Sequence, residues 1–140
     1  MVINYQKIYE KLGYLFYALA GADGKVRSSE EDSLQRAVES MWLSYEDSTD
    51  EFDMDAAEYI LIAFDYLMAE GVDPRDAYGV FEEYYREHST VFDKTMKRKI
   101  MSTAYMLANA FGSENHKEIK MLHDLENLLG LAPTKRSALC

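Results

Sequence analysis

Apolar residues recur at intervals of three and four along almost the whole chain, and only two prolines, Pro74 and Pro133, interrupt the pattern. This spacing places apolar side chains on one side of an α-helix, whereas a half-buried strand would alternate apolar and polar residues. No alternating stretch of that kind competes with the helical pattern. The sequence therefore predicts an all-α protein, folded as a single compact bundle of six to seven helices.

Polar caps and glycines mark where the helices begin and end. Asn4 is a candidate first cap, and Asp73 before Pro74 opens a later helix. Ser28, with Glu31 three residues on, forms a capping box. Glycine falls at the segment junctions in this interpretation, because it readily ends helices. The predicted buried faces are Ile8, Leu12, Leu15, Phe16 and Leu19; Leu34, Val38, Met41 and Trp42; Ala56, Ile60, Ala63, Phe64 and Leu67; Ala77, Phe81, Tyr84 and Tyr85; Ile100, Ala104, Leu107, Ala108 and Phe111; and Ile119, Leu122, Leu125 and Leu129.

The composition limits where the protein acts and on what. At 140 residues the chain forms one domain, predicted over residues 1–132, with a short polar tail over residues 133–140. Its 25 acidic and 15 basic residues give a formal net charge of −10, which repels nucleic acid and anionic membrane surfaces. The uncharged stretch Leu12–Ala22 is about half of what a membrane span needs, and the longest one, Ile100–Ser113 with 14 residues, is also shorter than a span. No secretory pattern opens the chain and the only cysteine is Cys140, so we expect a cytoplasmic protein without membrane insertion.

An internal repeat relates the early part of the chain to the late part. With a shift of 88 residues, seven positions match without a gap. The matches cover the end of one helix, a glycine turn and the next helix, so we expect two helix–turn–helix units around a pseudo-twofold axis. The second unit is degenerate, because Phe111 stands where the first has Asp23. The matched pairs are Tyr17 and Tyr105, Leu19 and Leu107, Ala20 and Ala108, Ala22 and Ala110, Gly24 and Gly112, Glu30 and Glu118, and Leu34 and Leu122.

The first glycine turn, ADGKVRSSE over residues 22–30, is similar to the later part of a calcium-binding EF-hand loop. With Glu30 at the last ligand position, Asp23 falls on another, but Leu19 and Gly21 fall on two more and offer no side-chain oxygen. Calcium takes six to eight oxygen ligands, so this loop alone is not a working site. A divalent cation of unidentified type would instead use Asp23, Glu30 and, from the second unit, Glu118. The alternative is that the Asp-Gly turn only caps helices and binds nothing.

The stretch FYALAGADGKVRSSEEDSLQRAV, residues 16–38, resembles the tellurite-resistance protein B-like (TerB-like) family. In that family a helix ends in Ala-Asp-Gly, and the hydrophobic residue, Glu and Leu that follow correspond here to Val26, Glu30 and Leu34. A weaker second copy ends in a Leu-Gly-Leu stop, as residues 129–131 do. The resemblance implies a compact all-helical bundle, a cytoplasmic or membrane-proximal location, a divalent-metal site and a link to stress response. It points to no particular enzymatic activity. The chain departs from the pattern at Phe111, where the second Asp is missing.

Other residues favour protein contacts over catalysis. No Gly-x-Ser-x-Gly motif and no phosphate-binding glycine loop occurs in the sequence. Core packing is the default interpretation of the tyrosines on the helix faces, and Tyr84 and Tyr85, beside Glu82 and Glu83, are in addition candidates to line a groove for a partner. The basic cluster over residues 94–99 is typical of a solvated helix face, with docking on an acidic surface such as residues 46–55 as the alternative.

These patterns favour a non-catalytic helical interaction module with a protein partner of unknown identity, tuned by a divalent cation. The alternative is a purely structural or oligomeric scaffold, with a homo-oligomer as one form of it, in which the Asp-Gly turn caps helices and binds nothing. An enzyme is a distant third, because it would require a deep pocket with two or more converging acids of perturbed pKa.

Overall fold

The protein is built from α-helices, as the apolar spacing predicts. A computed structural model describes residues 5–21, 32, 34–39, 56–110 and 116–130, and no β-strand occurs within them. The prediction of an all-α bundle of six to seven helices is confirmed. The elements are α1 (Tyr5–Ala20), α2 (residues 34–39), α3 (Ala56–Glu70), α4 (Pro74–Glu87), a short 3₁₀ turn (Ser89–Val91), α5 (Lys94–Ala110) and α6 (His116–Leu129).

Helix α1 lies at the centre of the bundle. It packs mainly against α3 and α4 and also contacts α5 and α6. Its predicted face, which runs from Ile8 to Leu19, is fully buried, and Tyr9, Tyr17 and Ala18 on its other sides are buried as well. Because removing apolar surface from water contributes about 25 cal/mol per Å², this enclosed helix is the main surface against which the others gain stability.

Two glycines lie inside helices, which corrects the prediction that glycine falls at segment junctions, and one of them, Gly13, has a packing role. Gly13 lies within α1 and Gly79 within α4. A Cβ atom built on Gly13 would lie 2.5 Å from the Cβ of Ala63 and 2.7 Å from the carbonyl oxygen of Ile60, both on α3. The missing side chain therefore lets α1 and α3 approach more closely than any other residue would allow.

A three-residue turn connects α3 to α4. Gly71 has a φ of +65°, in the left-handed region that favours glycine. Its N–H donates to the Met68 carbonyl at 3.2 Å, and the Val72 N–H donates to the Leu67 carbonyl at 3.2 Å, which together form a Schellman motif. The Tyr17 hydroxyl of α1 donates to the Val72 carbonyl oxygen at 2.6 Å, so this turn is also attached to α1.

The predicted start of α4 is confirmed. Asp73 is its N-cap, and one carboxylate oxygen accepts a hydrogen bond from the Arg75 N–H at 2.8 Å. Pro74 occupies the first turn, where its missing N–H has no cost. The predicted stops are also found: α1 ends at the residue before Gly21, and Gly130, with a φ of +70°, follows α6.

Helices α5 and α6 pack against each other and against α1. The Tyr105 hydroxyl of α5 donates to a carboxylate oxygen of Glu126 in α6 at 2.5 Å, and Glu126 is only 7% exposed. The burial predicted for Ile119 is wrong, because among the described side chains of α6 the buried face begins at Leu122. On α5 and α6, the other residues that were predicted to be buried and whose side chains are described are buried: Ile100, Ala104, Leu107, Leu122, Leu125 and Leu129.

Several predictions lie outside the described residues. They are the Asn4 cap, the capping box at Ser28, the acidic segment over residues 46–55, the two glycine turns of the repeat and the tail over residues 133–140. The predicted burial of Met41, Trp42, Phe111 and the side chains of Ala56 and Ala108 also lies outside them. Within the part of the chain that the structure describes, no helix is both long and apolar enough to cross a membrane.

Candidate functional site

A groove lies between α4 and α6. It encloses about 620 Å³. A second hollow of about 340 Å³ shares Tyr78, Glu82 and Asp124 with it, so the two hollows meet at these side chains. We call them together the α4–α6 groove. Its lining residues are Gly21, Asp73, Pro74, Arg75, Tyr78, Gly79, Glu82, Arg86, Lys120, Met121, Asp124, Asn127 and Leu128.

The groove is lined by one stripe of side chains on each helix. On α4, Tyr78, Glu82 and Arg86 follow one another at intervals of four, which places them on one face of the helix. On α6, Lys120 and Asp124 have the same spacing. Charged and polar side chains from both helices therefore face the space between α4 and α6.

Gly79 leaves the groove open. A Cβ atom at this position would meet no atom of the described residues within 4 Å, so those residues leave the space beside it open. Its backbone is helical and has no positive φ, so the glycine is not needed for a turn. Any larger side chain at this position would project into open space instead of into the core.

Tyr78 lies where the two hollows meet and is half-buried. Burial raises the pKa of its hydroxyl, the carboxylates of Glu82 and Asp124 raise the pKa further, and Arg86 lowers it. No other described residue forms a hydrogen bond with this hydroxyl. Tyr78 therefore presents a neutral phenol to the groove, with its hydrogen-bonding capacity unused by the described residues.

The two carboxylates beside Tyr78 are each paired within their own helix. Glu82 accepts from the Arg86 guanidinium at 2.7 Å and 3.1 Å, and Asp124 lies 3.3 Å from the Lys120 ammonium. The cations are well solvated, since the Arg86 side chain is 66% exposed and that of Lys120 78% exposed. Exposed pairs of this spacing contribute only about 0.3–0.5 kcal/mol, so an incoming charged group can compete with them.

The lining of the groove suits binding. Among the described residues that line it there is no serine, cysteine or histidine. Apolar surface from Pro74, Met121 and Leu128 alternates instead with charged groups. A small number of polar groups on apolar walls is typical of ligand-binding sites.

The side chains of the three predicted metal ligands all lie outside the described part of the chain. Asp23 and Glu30 lie outside it, and Glu118 lies in the first turn of α6 with its side chain outside it too. In the described ranges no three His, Cys, Asp or Glu side chains are grouped so that they could hold a metal ion. A divalent cation bound by Asp23, Glu30 and Glu118 stays a prediction.

The structure corrects which tyrosine faces a groove. Tyr85 belongs to the hydrophobic core, where its ring lies 5.0 Å from that of Phe92. Tyr84 is half-buried, and its ring stacks on that of His88 at 4.2 Å. The residue that sequence reasoning missed is Tyr78. The spacing of four residues between Tyr78 and Glu82 could have indicated that they share a helix face. However, the opposite wall of the groove comes from α6, and no local sequence pattern predicts that α6 lies there.

Comparison with known proteins adds no relative. No protein-family model, no curated protein and no solved structure matches the chain. The resemblance of residues 16–38 to the TerB-like family therefore depends on the motif itself.

Proposed function

We propose that this protein is a non-catalytic helical interaction module of the TerB-like type, which binds an extended segment of a partner protein in the α4–α6 groove. The observation that carries the proposal is the groove itself, a continuous hollow with apolar walls, charged edges and no side chain at Gly79. A volume of about 620 Å³ is within the usual range for binding sites.

The dimensions of the groove fit an extended peptide. Helix α4 has 14 residues. At a rise of 1.5 Å per residue it is about 21 Å long, and an extended chain covers about 3.3 Å per residue. A segment of about six or seven residues therefore spans the groove from the α4 N-terminus to its last turn.

Three further features belong to the same proposal. We place the protein in the cytoplasm and in a stress response, both as the resemblance to TerB-like domains implies. A divalent cation at Asp23, Glu30 and Glu118 would adjust the module from the Asp-Gly turn. The apolar walls and charged edges of the groove support binding without requiring that cation.

A selection from displayed peptides tests the groove. Libraries of randomised peptides of about eight residues are selected on the immobilised full chain, and the enriched sequences are synthesised and titrated by fluorescence anisotropy. The blocking variant is Gly79→Gln, whose side chain fills open space and replaces glycine by a better helix former. We expect enriched peptides to bind this variant at least about tenfold more weakly, a difference of about 1.4 kcal/mol.

The matched control is Ala69→Gln. Ala69 is exposed on α3, outside the groove, so the same side chain is added where no binding is proposed. Binding to this variant should equal that of the wild type. If no peptide is enriched, or if the enriched peptides bind the wild type and Gly79→Gln equally well, the α4–α6 groove is not the binding site.

One observation favours the alternative of an oligomeric scaffold. Ile62 and Tyr66, four residues apart on α3, are 55% and 56% exposed. However, Glu58 and Asp65 are exposed on the same helix, so a symmetric pairing of this face would bring like charges together. Light scattering at increasing concentration tests the scaffold: a dimer that Ile62→Lys dissociates would favour it over the groove.

A further inference from the structure

We infer that the α4–α6 groove binds a lysine or arginine side chain of its partner, with the cationic head over the Tyr78 ring and between the carboxylates of Glu82 and Asp124. This inference depends on the proposed function, because it names the chemistry of the segment that the groove binds. Tyr78, Glu82 and Asp124 are the residues common to both hollows, so a side chain that enters from either end reaches them.

The carboxylates have capacity for a second cation. An ionised carboxylate has about four acceptor positions. Asp124 uses one contact of 3.3 Å with Lys120, and Glu82 uses a single oxygen for both of its bonds with Arg86. The remaining acceptor positions come from two different helices, so they offer an incoming ammonium or guanidinium bonds from two sides.

Tyr78 supplies the third contact. The face of a tyrosine ring attracts a cation, and the attraction grows as water is removed from the site. Since the hydroxyl is neutral and has no hydrogen-bond partner among the described residues, its oxygen can also accept from the ligand. A half-buried aromatic face between two carboxylates matches a long basic side chain better than a small inorganic cation.

The groove lining carries both signs of charge: Asp73, Glu82 and Asp124 are acidic, and Arg75, Arg86 and Lys120 are basic. Arg86 and Lys120 already pair with Glu82 and Asp124, so the preference against an anion comes from the end of the groove at the start of α4. The N-terminus of α4 opens into the groove and would ordinarily attract a phosphate or carboxylate. Here the Asp73 carboxylate already occupies that position and accepts from the Arg75 N–H at 2.8 Å. An anion would therefore meet a fixed negative charge, and the net charge of −10 would oppose its approach.

Its described residues make the groove a poor calcium site. Glu82 and Asp124 are the carboxylates at its centre, and calcium takes six to eight oxygen ligands. A single positive charge on a long flexible stem needs fewer partners, and its methylene groups can pack on Pro74 and Met121. The chemistry at Tyr78 thus favours a basic side chain of a protein over a metal ion.

Two peptide libraries that differ in one residue test the inference. Both contain randomised peptides of about eight residues, with a fixed central Lys in one and a fixed central Glu in the other. We expect selection on the full chain to enrich binders from the Lys library only. Replacing that Lys by Gln in a synthesised binder should weaken binding by about tenfold, as the loss of a charge-assisted contact does.

Variants of the protein locate the contact. Glu82→Gln and Asp124→Asn keep the shape of each side chain and remove its charge, so each should weaken binding of a Lys-centred peptide by about fivefold to tenfold. Tyr78→Phe keeps the ring and should retain most of the affinity, whereas Tyr78→Leu should lose it. The control is Asp65→Asn on α3, which lies outside the groove and should change nothing. Circular dichroism melts establish that each variant is folded.

The outcomes separate the two proposals. If both libraries give binders that Gly79→Gln blocks and that Asp124→Asn leaves intact, the groove binds peptides but the basic side chain is wrong. If neither library gives a binder, the proposed function falls together with this inference. Binders from the Lys library that depend on Tyr78, Glu82 and Asp124 support both.

Discussion

Replacing Gly13 by alanine measures how closely α1 and α3 pack at the centre of the bundle. The added methyl group would begin 2.5 Å from the Cβ of Ala63 and 2.7 Å from the carbonyl oxygen of Ile60. Carbon atoms normally pack at about 3.5–4.0 Å, so the two helices would have to separate by about 1 Å. Neither obstacle can rotate away, because one is a Cβ atom and the other belongs to the main chain.

Two effects of opposite sign set the magnitude of this change. Alanine is favoured over glycine inside a helix by about 1 kcal/mol. Overpacking of a tight core costs up to about 3 kcal/mol, and we expect the upper end because α1 makes its largest interface with α3. The free energy of unfolding of Gly13→Ala should therefore fall by about 2 kcal/mol.

Urea denaturation followed by far-UV circular dichroism measures this change, with an unchanged slope as the sign that only stability has moved. Gly79→Ala is the matched control, since it makes the same substitution inside α4, where a Cβ meets nothing within 4 Å. It should raise the free energy of unfolding by up to about 1 kcal/mol. Equal stabilisation by Gly13→Ala and Gly79→Ala would refute the close approach of α1 and α3.

A second substitution tests the proposed contact directly. Ala63→Gly removes the nearest atom, so Gly13→Ala should cost at least about 1 kcal/mol less in that background than in the wild type. The rescue is partial, because the carbonyl oxygen of Ile60 remains 2.7 Å away. Additive effects of the two substitutions would show that the strain arises somewhere else.

Three other predictions concern buried polar groups and the Asp-Gly turn. Tyr105→Phe leaves the buried Glu126 carboxylate without its 2.5 Å donor, so it should lower the free energy of unfolding by about 2 kcal/mol. The double variant with Glu126→Leu should lose less stability than the sum of the two single variants. Additive losses in urea titrations would contradict this hydrogen bond. Burial raises the pKa of Tyr78, so its contribution to stability is present below the unfolded-state pKa of about 10 and is lost as the pH rises through the folded-state pKa. The free energy of unfolding should fall above about pH 10 and fall less steeply in Tyr78→Phe, whereas identical slopes would count against burial of this hydroxyl. If a cation binds at the Asp-Gly turn, calcium or zinc at about millimolar concentration should raise the melting temperature, and Asp23→Ala should abolish the rise. If metal has no effect, the cation is removed from the proposal. Asp23→Ala should then lower the free energy of unfolding by about 1 kcal/mol, as the loss of a helix cap does.

Local features of the sequence predict the helices and most of their buried faces. Asp73 and Pro74 carry enough information to place the start of α4, because a capping side chain and a fixed φ act within a few residues. Gly71 and Gly130 likewise mark helix ends through a positive φ that other residues rarely adopt. These effects depend on neighbours along the chain, so the sequence alone contains them.

The groove and the close approach at Gly13 depend on how distant segments pack. Nothing near Gly13 indicates that Ala63 and Ile60 lie against it, and glycine inside a helix is read as a junction when only the sequence is known. Tyr78 likewise gains its role from Asp124, which belongs to α6. Packing between helices sets both features, and the apolar spacing within one helix does not specify it.

The central position of α1 has a consequence during translation. Its buried surface is covered by α3 and α4, and 67 residues, from Gly21 to Glu87, follow α1 up to the end of α4. At about 5–20 residues per second, a ribosome needs about 3–13 s to add them. During that interval α1 exposes apolar surface on the nascent chain. We therefore expect chaperones that bind short apolar segments to bind α1 until α4 has been synthesised.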